Sequence, residues 1–215
     1  MEAEFWLARW QNNELGFQLE AAHPLMTQCL DVVIGESTSV FVPLCGKSPD
    51  MVFLSQHLSV LGAELSEIAC RDFFSEHKLA YKLTEQGQFK RFEGEQVCLL
   101  QGDFFALKPE QVDGCHLVYD RAALIALPPA MRQQYAEKLS AIFPAGVRVL
   151  LISLEYPQHE KQGPPFAVYY DELVTLFPNA RIELLAEIDL TGKGFARRRF
   201  ETSRLVEKAY CITLG

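Results

Sequence analysis

Five short apolar runs recur along this chain, and a segment with helical punctuation follows most of them. They are Ser39–Leu44 (SVFVPL), Leu58–Leu65 (LSVLGAEL), Gln96–Gln101 (QVCLLQ), Cys115–Tyr119 and Val147–Leu154 (VRVLLISL). A strand that is apolar at successive positions is buried on both faces, which is the mark of a parallel sheet between two helical layers. The intervening segments agree. Residues 2–11 and 22–34 read as helices, the second opening at Pro24. Ser48 caps a helix to about His57, and Ser66 caps another to His77. Arg121–Leu127 begins a helix, Pro129–Phe143 is a long one stopped by Pro144 and Gly146, and Asp171–Phe177 is a short one. Residues 80–94 alternate about Gly87 and suggest a hairpin-like insertion. Residues 181–189 and 204–214 read as strands joined only by a loop with Gly192 and Gly194, so they pair antiparallel at one edge. The prediction is an α/β fold with a mainly parallel, seven-stranded sheet and an antiparallel edge hairpin. It occupies one domain, 1–215, with 1–35 as an N-terminal helical cap.

Charge narrows the partners. Residues 1–107 hold 15 acids and 7 bases, and residues 108–215 hold 13 of each, so the net charge of −8 sits in the first half. A polyphosphate would be repelled there, and nucleic acid is not an expected partner. The longest apolar runs, such as Val149–Ile152, fall far short of the roughly 20 residues of a membrane span. The N-terminus Met1-Glu-Ala-Glu-Phe-Trp has no basic or long apolar region, so no secretory signal is expected. Six cysteines without a C-x-x-C pair read as reduced, mostly buried thiols of a cytoplasmic protein. Five scattered histidines give no metal site.

In open α/β sheets ligands bind beyond the carboxyl ends of the strands, which directs attention to five places. Pro43-Leu44-Cys45-Gly46-Lys47-Ser48 follows the first strand, and Gly46 allows close backbone approach. The Gly-Lys-Ser ending resembles a triphosphate loop, but the required earlier glycine is Phe41. Glu64 stands 18 residues after Gly46, where a carboxylate commonly accepts from ribose hydroxyls; a solvated strand-end acid is the plain alternative. Asp103 and Phe104 could meet an adenine, or form an Asp turn followed by core aromatics. Asp120 and Arg121 could face the cleft, Arg121 binding an anion, or form a structural salt link. Trp6, Trp10 and Phe17 could cap an apolar pocket, or Trp6 and Trp10 could simply pack one helix face. Gly163-Pro164-Pro165-Phe166 makes a stiff loop that suits a pocket wall or a connector, and Arg197-Arg198-Arg199 is the one basic run.

The strand–helix order with its antiparallel ending fits the Rossmann-like class I S-adenosylmethionine-dependent methyltransferase fold. The sequence resembles the thiopurine S-methyltransferases, most closely their bacterial members, nearly end to end. Its landmarks are Trp6-x3-Trp10-x6-Phe17, Phe41-Val-Pro-Leu-Cys-Gly-Lys-Ser48, Gly62-Ala-Glu-Leu-Ser-Glu67 with Phe73-Phe74, Asp120-Arg-Ala-Ala-Leu124 and Gly163-Pro-Pro-Phe166. Departures are Gln18 where a His is common, His23 where bacterial relatives often have Asn, and Ala63 for Val. The resemblance implies S-adenosyl-L-methionine as cofactor, with Trp10, Leu44 (through its backbone), Glu64, Asp103, Phe104 and Arg121 contacting it. It implies Phe17, Pro164, Pro165 and Phe166 as walls for a small thiol acceptor, thiopurine-like, with selenium and tellurium compounds as further candidates. Asp120 and Arg121 are the candidate catalytic residues, and a monomer is the family-like state. Two alternatives compete. A nicotinamide-dependent oxidoreductase would need the G-x-G-x-x-G that is missing. A decayed, non-catalytic binding module would not retain Gly46, Glu64 and Arg121 together.

Overall fold

The structure, a computed structural model, describes residues 3–193, 195–196 and 200–215. Five parallel strands form its centre: β1 (Ser39–Val42), β2 (Ser59–Glu64), β5 (Val97–Gln101), β6 (Leu117–Arg121) and β7 (Arg148–Glu155). Two hairpins flank them. β3 (Lys82–Gln86) and β4 (Phe89–Glu93) extend the sheet antiparallel from β5, and β9 (Val206–Thr213) and β8 (Arg181–Asp189) extend it from β7. The order is β3-β4-β5-β2-β1-β6-β7-β9-β8. The seven expected strands are all present, and the 80–94 segment adds two by pairing with β5. The chain runs outward from β1 through β2 to β5, then returns to the other side of β1 at β6. Neighbouring connections therefore diverge at the carboxyl ends of β1 and β6, which opens a crevice there.

Successive strand residues point to opposite faces, so each strand feeds two cores. Phe41, Val118, Val149 and Leu151 face a core with Tyr135 and Leu139 of α6 (Pro129–Ile142) and Leu173 of α7 (Tyr170–Leu176). Val40, Val42, Leu117, Tyr119, Leu150 and Ile152 face the other core. It holds residues of α2 (Pro24–Ile34), α3 (Asp50–Leu54) and α4 (Glu67–Glu76). Of the proposed cap, only α1 (Ala3–Gln11) and the residues up to Gln18 border the crevice. The helix α2 lies against β7, β8 and β9 instead. It is held by a buried polar strut. Leu25 N–H donates to His23 Nδ1, so a neutral ring carries its proton on Nε2, which faces both Glu207 oxygens at 3.1 Å. Asp50 accepts from His23 N–H and from the Tyr119 hydroxyl.

Several boundaries differ from expectation for identifiable reasons. Ser48 accepts from Asp50 N–H, but α3 stops at Leu54 because Gln56 and His57 N–H groups turn back three residues, not four. Strand β6 runs on through Asp120 and Arg121, paired in register with Leu151 and Ile152, so these residues end a strand and do not open a helix. Only a 3₁₀ turn, Leu124–Ala126, follows. Pro109–Val112 forms a short helix, α5, that was not anticipated. Arg197-Arg198-Arg199 and Gly194 lie outside the described residues.

The strand-to-turn passage after β6 is organised by Asp120, which is 1% exposed. Its Oδ1 accepts from the Ala123 and Leu124 N–H groups, and its Oδ2 accepts from the Tyr135 hydroxyl of α6 at 2.6 Å. Burial outweighs these bonds and pushes the Asp120 carboxyl up to about 6.

Two measurements test this frame. A Cβ on Gly62 would sit 2.5 Å from Leu99 Cδ2 and 2.7 Å from Cys45 Sγ, both buried. Gly62→Ala should therefore cost about 1–3 kcal/mol by urea denaturation, and an unchanged midpoint would refute the tight packing behind the first turn. Because the folded Asp120 binds its proton more tightly than the unfolded chain, its contribution is fully present below about pH 4. It is lost as pH rises through about 6. The loss amounts to about 3 kcal/mol from a shift of about 2 units. Asp120→Asn keeps its one acceptor oxygen for the Ala123 and Leu124 N–H groups while its amide NH2 donates to the Tyr135 hydroxyl oxygen, and it should remove that decline; an identical pH–stability profile would overturn the assignment.

Candidate active site

The crevice between the β1 and β6 ends is an open cleft with room of about 120 Å³ inside it. Its floor is the turn after β1. Leu44 and Gly46 both adopt left-handed backbone, with φ of 46° and 55°. Such a conformation is strained for leucine, and strain of this kind collects at ligand sites. Cys45 N–H donates to the Ala63 carbonyl at 3.0 Å and pins the turn to β2. Gly46 lies under Trp10, where a Cβ would meet the indole at 3.3 Å.

Glu64 closes the floor. Its Oε2 accepts from Gly46 N–H at 2.8 Å and its Oε1 from Ser66 N–H at 2.7 Å. The side chain is buried, and desolvation raises its carboxyl above the usual range while backbone N–H groups of Ser66, Gly46 and Leu65 pull it back. A carboxylate has about four lone-pair sites, so two backbone bonds leave acceptor capacity along the cleft wall. Cys45 also lines the cleft, but burial, with Glu64 beside it, pushes its thiol well above the ordinary value. It is a neutral wall residue and not a nucleophile.

The other walls come from distant parts of the chain. Trp6 and Trp10 of α1 meet Phe17 edge to face at 5.8 and 5.9 Å. Arg121 at the end of β6 donates to the Phe17 carbonyl at 3.2 Å, joining this cap to the sheet. Ala122 follows with a positive φ of 68°. Pro164 and Pro165, each after a cis peptide bond, form a third wall. Their loop is held by the Phe166 N–H to Ile125 carbonyl bond and by the Tyr156 hydroxyl donating to the Pro165 carbonyl. Gln18 Nε2 donates to the Lys47 carbonyl and ties the cap to the floor.

The structure thus brings together Trp10, Phe17, Leu44, Glu64, Arg121, Pro164 and Pro165. Four anticipated residues do not line the cleft. Asp120 lies beneath it, buried, with its carboxylate engaged by Tyr135 and two backbone N–H groups. Asp103 caps its own turn by accepting from Phe105 N–H. Phe104 is turned into the core against Phe41 and Tyr135. Phe166 packs behind the proline wall, below the Arg132 guanidinium. Arg9, Cys45, Ala122 and Phe195 line the cleft without having been singled out. The helical spacing Trp6–Arg9–Trp10 could have revealed Arg9. No local signal marks Phe195, which arrives through the β8–β9 connection.

Comparisons with known proteins identify the family and the fold. The sequence model of the family described as "Thiopurine S-methyltransferase (TPMT)" matches residues 1–214. A protein named thiopurine S-methyltransferase from Pseudomonas aeruginosa is 44% identical over 218 residues, covering 100% of both chains. One of the same name from Photobacterium profundum is 41% identical, again covering 100% of both. Among solved structures, a SAM-dependent methyltransferase from Anabaena variabilis superposes with a TM-score of 0.68 at 15% identity, covering 98% of this chain and 94% of that one. This chain therefore belongs to the thiopurine S-methyltransferase family, and it is an enzyme that uses S-adenosylmethionine to methylate sulfur.

Proposed function

We propose that the acceptor is a small aromatic or heterocyclic thiol, thiopurine-like in shape, and that Glu64, Leu44, Trp10 and Arg121 hold the methyl donor while Phe17, Pro164 and Pro165 border the acceptor. The observation that carries this reading is the Glu64 carboxylate, buried at the floor of a largely aromatic and proline-walled cleft with acceptor capacity left over. Ribose hydroxyls supply the donors that such a carboxylate lacks, and the glycine floor beneath Trp10 admits a ligand close to backbone.

Bound S-adenosylmethionine supplies a methyl group on a cationic sulfur, which keeps the S–C electron pair when an acceptor thiolate forms its new S–CH₃ bond. The protein's part is placement. Aromatic heterocyclic thiols lose their proton readily to solvent, so no strong base is needed, and Asp120 is not placed to be one. Flat walls of Phe17, Pro164 and Pro165 orient a ring, and such alignment can supply about 7–11 kcal/mol of a bimolecular barrier. Arg121 spends one N–H on the Phe17 carbonyl and keeps others for the donor's carboxylate. Asp120, by fixing the turn after β6, positions Arg121 and Ala122. All six cysteines are free thiols, which supports a reducing, cytoplasmic setting for the enzyme. Among the described residues no helix is long and apolar enough to cross a membrane.

Methyl transfer from S-adenosylmethionine to a panel of aromatic thiols and chalcogen oxyanions tests the acceptor. Turnover of heterocyclic thiols is expected, and turnover confined to other acceptors would overturn the reading. Glu64→Ala should weaken S-adenosylhomocysteine binding by about 1.5–3 kcal/mol, roughly ten- to hundredfold. Equal affinity in calorimetry would remove Glu64 from the donor site.

A further inference from the structure

Pro164 and Pro165 carry no N–H, so their own backbone cannot donate a hydrogen bond to hold the proline wall of the cleft in place. The wall is held through a carbonyl instead. The Tyr156 hydroxyl donates to the Pro165 carbonyl at 2.6 Å and accepts from Gln158 Nε2 at 3.1 Å. Gln158 spends the rest of its amide on the same loop, donating to the Lys161 carbonyl and accepting from Ala167 N–H at 2.8 Å. Tyr156 is well seated as a support. It directly follows β7, is 1% exposed, and its own carbonyl accepts from the Tyr169 hydroxyl. Burial raises its hydroxyl above the ordinary tyrosine value, so the group stays a donor.

The ring of the same residue reaches a second wall. It meets the Phe200 ring edge to face at 5.0 Å, and Phe200 meets Phe195 at 5.9 Å. Phe195 lines the cleft, as Pro164 and Pro165 do, but belongs to the β8–β9 connection. Two walls from separate loops thus share one buried side chain. We propose that Tyr156 is a positioning residue for the acceptor: its hydroxyl sets Pro165, its ring sets Phe195 through Phe200, and the walls it holds align the acceptor ring. This rests on the reading that the proline wall borders the acceptor. Tyr156 does not itself line the cleft, so it acts only through those walls. Alignment is sensitive to such supports, since a misplacement of about 1 Å caused far from the chemistry can cost about a hundredfold in rate.

Tyr156→Phe removes the hydroxyl and keeps the ring against Phe200. Calorimetric titration with S-adenosylhomocysteine gives both the affinity for the donor product and the number of folded sites. Methyl transfer to 6-mercaptopurine then gives kcat/KM per site. That value should fall about fivefold, the factor expected for one neutral hydrogen bond, with S-adenosylhomocysteine affinity unmoved. Tyr156→Leu, which also loses the edge-to-face contact, should fall further. Gln158→Leu, at an exposed position, should fall in the same sense by a smaller factor. A purely structural role reads differently, as fewer sites that each keep the wild-type kcat/KM. That pattern in Tyr156→Phe overturns the proposal, whether or not Tyr156→Leu folds. S-adenosylhomocysteine binding weakened as much as kcat/KM also overturns it, because the walls would then serve the methyl donor. The wild-type enzyme separates the two levels. If it methylates 6-mercaptopurine and Tyr156→Phe does so equally well per site, only the Tyr156 assignment fails; if it methylates no heterocyclic thiol, the functional reading fails and takes the assignment with it.

Discussion

One carboxylate holds two turns together at the edge of the sheet. Glu64 takes a backbone N–H from the turn after β1 on one oxygen and from the turn after β2 on the other. Burying an ionised carboxylate is costly unless it is hydrogen-bonded, and the two short bonds offset much of that cost. The same bonds fix Gly46 relative to the end of β2, so the cleft floor has a defined shape before any ligand arrives. This is preorganisation: the carboxylate proposed to hold the ribose is already fixed as part of the fold.

The cap depends on the floor in turn. Trp10 rests over Gly46, Gln18 bonds the Lys47 carbonyl, and Arg121 bonds the Phe17 carbonyl. Two elements, the turn after β1 and the end of β6, therefore hold a segment whose short N-terminal helix, 9 residues, is too small for independent stability. The aromatic contacts among Trp6, Trp10 and Phe17 add about 0.5–1.5 kcal/mol each beyond the area they bury.

Much of this was readable because the central strands are apolar on both faces. Phe41 and its neighbours Val40 and Val42 feed opposite cores, and that requirement is written directly in the run SVFVPL. The spacing from Gly46 to Glu64 also survived, since strand, helix and strand lengths fix it. Local sequence could not tell cleft from core at Phe104, because a ring one residue past a turn suits either, and its packing against Tyr135 is decided by a helix 25 to 38 residues later. Asp120 and Arg121 looked like a pair opening a helix; the register with β7 kept them in the strand and sent their side chains to different tasks. Arg9 went unnoticed since an exposed-looking arginine on a helix is ordinary until its neighbours are known. The 80–94 hairpin was visible as a hairpin, but its pairing with β5 depends on a strand beyond it.

The strut from His23 to Glu207 joins residues 184 positions apart, near the two ends of the chain. On a ribosome, the second helix is therefore exposed long before its hydrogen-bond partner Glu207 is made. The antiparallel β9 lies between β7 and β8, and only when it has paired with β7 does the imidazole acquire its partner. Closing so long a loop is entropically expensive and kinetically late. The enzyme's first-made helices are thus among its last to be secured, and a nascent chain interrupted before β9 carries most of a sheet, a turn and a floor, but no finished anchor for the segment that leads into its cap.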